Sequence, residues 1–147
     1  MKKIIASLII VLALISCPSC TSTQKQKISD IVNQYPDELS FAVKTITKIV
    51  IKETKPSKND LEQAEKFLVY CKELAKNPSE FSLEQLKLLA GTMDNGPGKL
   101  IVLNILNFAD RYINTSDSNS DNSKLIIIIC DSAIEAIHNH QTLTSGT

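Results

Sequence analysis

Glu135 and His138 stand three residues apart, the spacing at which two side chains share one face of a helix. Asp131 falls on the same face four residues earlier. A carboxylate and an imidazole so placed form half of a di-iron site, which needs a second such pair and two further carboxylates from other helices. The chain has two His in all, and the second, His140, lies about 200° round a helix from His138. Half a site binds no metal, so Asp131, Glu135 and His138 read first as a solvated face, and no metal or cofactor is expected. Four Cys remain: Cys17, Cys20, Cys71 and Cys130. "CPSC", Cys17 to Cys20, has the spacing of a redox pair, but such a pair opens a helix after a strand, and here it follows an apolar N-terminal run. Cys71 and Cys130 occupy apolar helix positions and read as small buried hydrophobes. In an oxidising compartment they are candidate disulfide partners if their helices pack side by side. "GTMDNGPGK", Gly91 to Lys99, lacks the Gly-Lys-Ser/Thr ending and the preceding strand of a phosphate loop. With no Gly-x-Ser-x-Gly, no His-Glu-x-x-His and no candidate triad, no catalytic residue is assigned, and a non-enzymatic protein is expected.

The start of the chain is more specific. Lys2 and Lys3 precede "IIASLIIVLALI", Ile4 to Ile15, in which Ser7 is the single polar residue. That run is short for a membrane span, which takes about 20 residues, and fits the apolar region of a secretory signal. It ends in Leu14-Ile15-Ser16-Cys17 rather than an Ala-x-Ala site. This ending resembles the lipobox of bacterial lipoproteins. The resemblance implies a diacylglycerol on the Cys17 sulfur, cleavage between Ser16 and Cys17, and acylation of the new amino group. It covers Met1 to Cys17 and implies a processing route, not an activity. Residues 1–16 are then a cleaved signal, and 17–27 a lipidated Cys with a polar tether. A helical domain follows over 28–141, with a fraying tail at 142–147.

Composition bounds the domain. The chain has 147 residues, enough for one domain, with 43% hydrophobic and 22% charged residues, which is globular composition. No Trp and 5% aromatics call for an aliphatic core. Loss of Lys2 and Lys3 leaves fourteen basic against sixteen acidic residues, a net charge of −2 with no basic run. Nucleic-acid binding needs clustered Lys and Arg, so it is not expected.

Helical periodicity runs through the rest. Ile28 to Tyr35 is a short amphipathic piece stopping at Pro36. Asp37 is the expected cap of a helix whose stripe is Leu39, Ala42, Val43, Ile46, Ile49 and Val50, ending before Lys55-Pro56. Ser57 and Asp60 form a capping box for a stripe of Leu61, Ala64, Phe67, Leu68, Cys71, Leu74 and Ala75. Ser82 and Gln85 repeat the pattern before Leu83, Leu86, Leu89, Ala90 and Met93. "DNGPG", Asp94 to Gly98, is a turn. Lys99 to Ile113 is apolar over most of its circumference and belongs at the centre of a bundle. Thr115 to Ser123, "TSDSNSDNS", is expected to be an exposed, mobile loop. "LIIII", Leu125 to Ile129, could be a strand by composition. It runs unbroken into helically spaced Cys130, Ala133, Ile134 and Ile137, and a strand would have no partner, so Ser123 to Asn139 is expected to be one helix. The fold expected is an all-α compact bundle of five or six helices.

Asn104, Asn107 and Arg111 lie at i, i+3 and i+7 on the most apolar helix and are candidate contacts for a partner groove. The functional expectation is a lipid-anchored, non-enzymatic helical binding module of the bacterial cell envelope, on the outer membrane in a Gram-negative cell. Its partners are the membrane, through the lipid, and an envelope or extracellular protein. The alternatives are an assembly accessory of an envelope complex and a phage- or plasmid-type exclusion lipoprotein.

Overall fold

The computed structural model describes residues 34, 36–77, 79, 82–113 and 119–145. The lipobox, Cys17, Cys20, the tether and most of Ile28 to Tyr35 lie outside the described residues. The described part is an all-α bundle of five helices: α1 Pro36–Thr54, α2 Lys58–Ala75, α3 Leu83–Gly91, α4 Pro97–Asp110 and α5 Asn119–Ser145. None is long and apolar enough to cross a membrane.

Pro36 opens α1, where a fixed φ and a missing N–H cost nothing. Asp37 therefore sits inside the first turn, not ahead of it as a cap. The buried stripe of α1 is Leu39, Ala42, Val43, Thr47 and Ile51, whereas Ile49, expected in the core, is 54% exposed. Thr47 takes a core place because its hydroxyl donates to the Val43 carbonyl at 2.8 Å, leaving a β-branched methyl to pack. At the other end Lys55 adopts φ 47°, and its N–H donates to the Ile51 carbonyl at 2.9 Å, closing the helix in the left-handed conformation. A side chain there costs about 1 kcal/mol. Lys55→Gly is expected to stabilise the protein by roughly 0.5–1 kcal/mol, read as a higher midpoint in urea denaturation with an unchanged slope.

Ser57 caps α2 as expected. Its Oγ accepts from the Asp60 N–H, and its own N–H donates to the Asp60 carboxylate at 2.9 Å, completing a capping box. Ser82 caps α3, and Leu83, Leu86 and Ala90 bury its inner face, while Leu89 lies 40% exposed. The helix expected from Lys99 starts earlier, at Pro97, and ends at Asp110, because Gly96-Pro97 supplies its entry. This α4 packs against all four other helices, as its apolar circumference required.

α5 departs most from expectation. It begins at Asn119, so the second half of the presumed loop is helical, and Asn122 and Ser123 are buried. It continues to Ser145 through the stretch expected to fray, where the Thr142 and Thr144 hydroxyls donate to carbonyls of the preceding turn. "LIIII" is helical, with Leu125, Ile126 and Ile129 in the core.

α5 packs most extensively on α2 and α1. Two long-range pairs set each register. Lys72–Asp131 and Glu65–His138 run it antiparallel to α2, and Ser40–Ser132 and Lys44–Glu135 run it parallel to α1. α4 also bridges α1 and α2, and α3 packs against α4. The core is aliphatic, with Leu68, Leu86, Ile101, Ile105, Leu106, Ile126, Ile129 and Ile137 its largest fully buried side chains. Among the described residues no buried side-chain N or O atom lacks a hydrogen-bond partner.

Candidate functional site

The buried arc of α5 turns Asp131, Glu135 and His138 together onto its outer face, as their spacing required. The flanking helices supply long side chains that reach round to them. Lys72 of α2 donates to Asp131 at 2.6 Å, Lys44 of α1 pairs with Glu135 at 2.7 Å, and His138 Nε2 meets Glu65 of α2 at 2.7 Å. The hydrogen bond it donates to Asp131 holds the Lys72 ammonium above its ordinary range, against a smaller opposing cost of burial. These residues form a seam of two ion pairs and a His–carboxylate hydrogen bond clasping α5 to both neighbours. Each pair is partly exposed, so each contributes about 0–1 kcal/mol. Their geometric effect is larger than their energy, because they fix which residues of three helices lie level. Sequence reasoning missed the seam, since each partner is 59 to 91 residues away and no local pattern marks it. Among the described residues no group of three or more His, Cys, Asp or Glu is placed to hold a metal ion.

The Gly91–Lys99 turn is built in a similar way. The Lys99 ammonium donates to the carbonyls of Gly91 at 2.6 Å and Met93 at 3.3 Å and to Asn95 Oδ1 at 3.1 Å. It thereby neutralises the carbonyl end of α3. The positive end of α4 faces the Asp60 carboxylate, which also accepts from the Ser57 hydroxyl at 2.6 Å. Bonds from the Ser57 hydroxyl and amide, with the Gly98 amide adding to them, hold the Asp60 carboxyl below its usual range, and burial opposes weakly. The lysine and the helix start of a phosphate loop are thus both engaged by the protein's own groups.

Cys71 and Cys130 are buried free thiols in one core cluster, on facing sides of α2 and α5. The adjoining Cys71 thiol, then burial, push the Cys130 thiol well above its usual range, so it is protonated at neutral pH. A nucleophilic thiolate is not available there.

Asn104 and Asn107 are exposed on the outer face of α4, and Arg111, the residue that caps its C-terminus, is exposed just beyond them. Asn104 donates to the Leu100 carbonyl of its own helix at 2.8 Å. Leu100, one turn earlier on the same stripe, is 49% exposed although the helix is otherwise deeply packed. The result is an exposed strip of one large apolar, two amide and one cationic side chain along about 17 Å of helix. No family model matches the chain, and searches of curated proteins and of solved structures return no significant match.

Proposed function

We propose that the protein is a lipid-anchored, non-enzymatic helical module of the bacterial cell envelope, which binds a protein partner through the outer face of α4. The strip Leu100, Asn104, Asn107 and Arg111 carries this reading. It lies on the helix that touches every other helix, so its backbone is held rigidly while these side chains face outward. Rigid presentation lowers the ordering cost of binding, and Arg is among the residue types enriched at binding hot spots. The Leu14-Ile15-Ser16-Cys17 sequence supports the anchor, and the self-engaged polar groups of α5 and of the Gly91–Lys99 turn favour binding over catalysis.

The test is site-specific photo-crosslinking in intact cells, with the crosslinker at Asn107 or at exposed Lys66 on α2 of the full-length chain. Discrete protein adducts are expected from position 107 and not from 66. Arg111→Ala should weaken partner capture about tenfold, the loss of roughly 1–2 kcal/mol usual for such a contact. Equal adducts from both positions, or none from 107, would remove the strip as the binding face. Adducts to integral membrane proteins in fixed ratio would favour the assembly-accessory role.

A further inference from the structure

We propose that Cys71 and Cys130 are joined in the cell as a disulfide that staples α2 to α5. The register between these helices is fixed independently on one side by Lys72–Asp131 at 2.6 Å, the residues immediately following the two cysteines. A second pair, Glu65–His138, lies two turns along and holds the same antiparallel alignment. Cys71 is 0% exposed and Cys130 1%, on the buried faces these pairs bring together. Each thiol has the other as its neighbour, and Lys72 lies close enough to Cys130 to sense it. A hydrophobic core needs only one small apolar group at such a place, and Ala already fills that role at Ala64, Ala75, Ala133 and Ala136.

The inference rests on the envelope reading, because disulfides persist outside the reducing cytoplasm. The chemistry needs an oxidant, here a thiol–disulfide oxidoreductase or a small-molecule disulfide. One Cys thiolate attacks the oxidant's disulfide, forming a mixed disulfide and releasing one thiol. The second Cys thiolate displaces the other sulfur, so two protons and two electrons leave the protein and the oxidant ends as two thiols. Burial shields both sulfurs once α5 is docked, so the exchange takes place before the core closes.

The test has two arms and reads peptides by mass. Trypsin cuts after Lys66, Lys72 and Lys124, releasing Cys71 in "FLVYCK" and Cys130 in residues 125–147. In one arm, membranes from cells making the full-length chain are acid-quenched, alkylated and digested without reductant. In the other, purified full-length chain is reduced, unfolded and refolded in a mixture of oxidised and reduced glutathione. The linked peptide, lost on reduction, is expected in both. Recovery of helical circular dichroism with only alkylated Cys71 and Cys130 in the second arm would overturn the proposal on geometry and leave the envelope reading untouched. Linked peptide on refolding but free thiols in cells would overturn it on compartment. The N-terminal peptide of the same digest, lipidated or not at Cys17, then decides whether the envelope reading falls with it.

Discussion

Gly98→Ala is expected to destabilise the protein by about 3 kcal/mol and lower the thermal midpoint by roughly 10 °C. In an ordinary helix this substitution stabilises, since Ala exceeds Gly in helix propensity by about 1 kcal/mol. Here a Cβ on residue 98 would lie 2.5 Å from the backbone oxygen of Asp60 and 3.2 Å from its carbonyl carbon. Those atoms belong to the first turn of α2, which cannot withdraw without opening the Ser57 capping box and the Asp60 bonds around it. Either the starts of α2 and α4 separate, or the box breaks. Gly91→Ala is the control. A Cβ there meets nothing within 4 Å, at the last residue of α3, and the same chemistry should stabilise by roughly 0.5–1 kcal/mol. Calorimetry of the pair measures both signs. Equal shifts in the two variants would show that the contact between the starts of α2 and α4 is not tight.

Cys17→Ser is expected to abolish lipid incorporation altogether. Each buried methylene is worth about 0.8 kcal/mol, so one acyl chain holds a protein marginally and two or three hold it firmly. Loss of the thiol therefore changes anchoring by many orders of magnitude. Cells fed a clickable palmitate analogue should label the wild-type protein and a Cys20→Ser variant equally, and the Cys17→Ser variant not at all. The unmodified chain should also keep residues 1–16. The twelve residues from Ile4 to Ile15 would span only about 18 Å as a helix, short of the roughly 30 Å hydrocarbon core. That precursor should wash from membranes at alkaline pH, where the lipidated form stays. Label retained on Cys17→Ser would refute the lipobox assignment.

Element type was legible where the local signal and the packing agree. The Ser57–Asp60 box, the end of α1 before Pro56 and the central place of α4 all follow from residues close in sequence. "LIIII" is helical, as the want of any partner strand for its backbone groups implies. The differences in α5 share one cause. Asn119 to Ser123 and the turns after Asn139 are polar, so composition assigned them to loop and tail. Their helical state is fixed by the burial of Asn122 and Ser123 and by Thr hydroxyls bonding back along the helix. In α1, Thr47 is buried despite its hydroxyl, since a back-bonded Thr packs like Val, and Ile49 lies on the exposed side. Of the candidate chemistry, the shared face of Asp131, Glu135 and His138 could be read from spacing. Their occupation by Lys72, Lys44 and Glu65 could not, because only the folded chain brings those residues level.

The place of α5 has a consequence for synthesis. α5 follows the other four described helices along the chain, and its registering pairs join residues 59 to 92 positions apart. Of the described helices, α1 and α2 are both complete by Ala75, whereas α5, the wall they share most extensively, begins only at Asn119, and such non-local closure is slow and comes late. A nascent polypeptide stays open on that side until this 27-residue helix appears, a state that an export channel would accept. A premature stop anywhere before residue 119 would leave the buried faces of α1 and α2 without α5, so the codons for residues 119–145 should tolerate truncation as poorly as those of the middle helices.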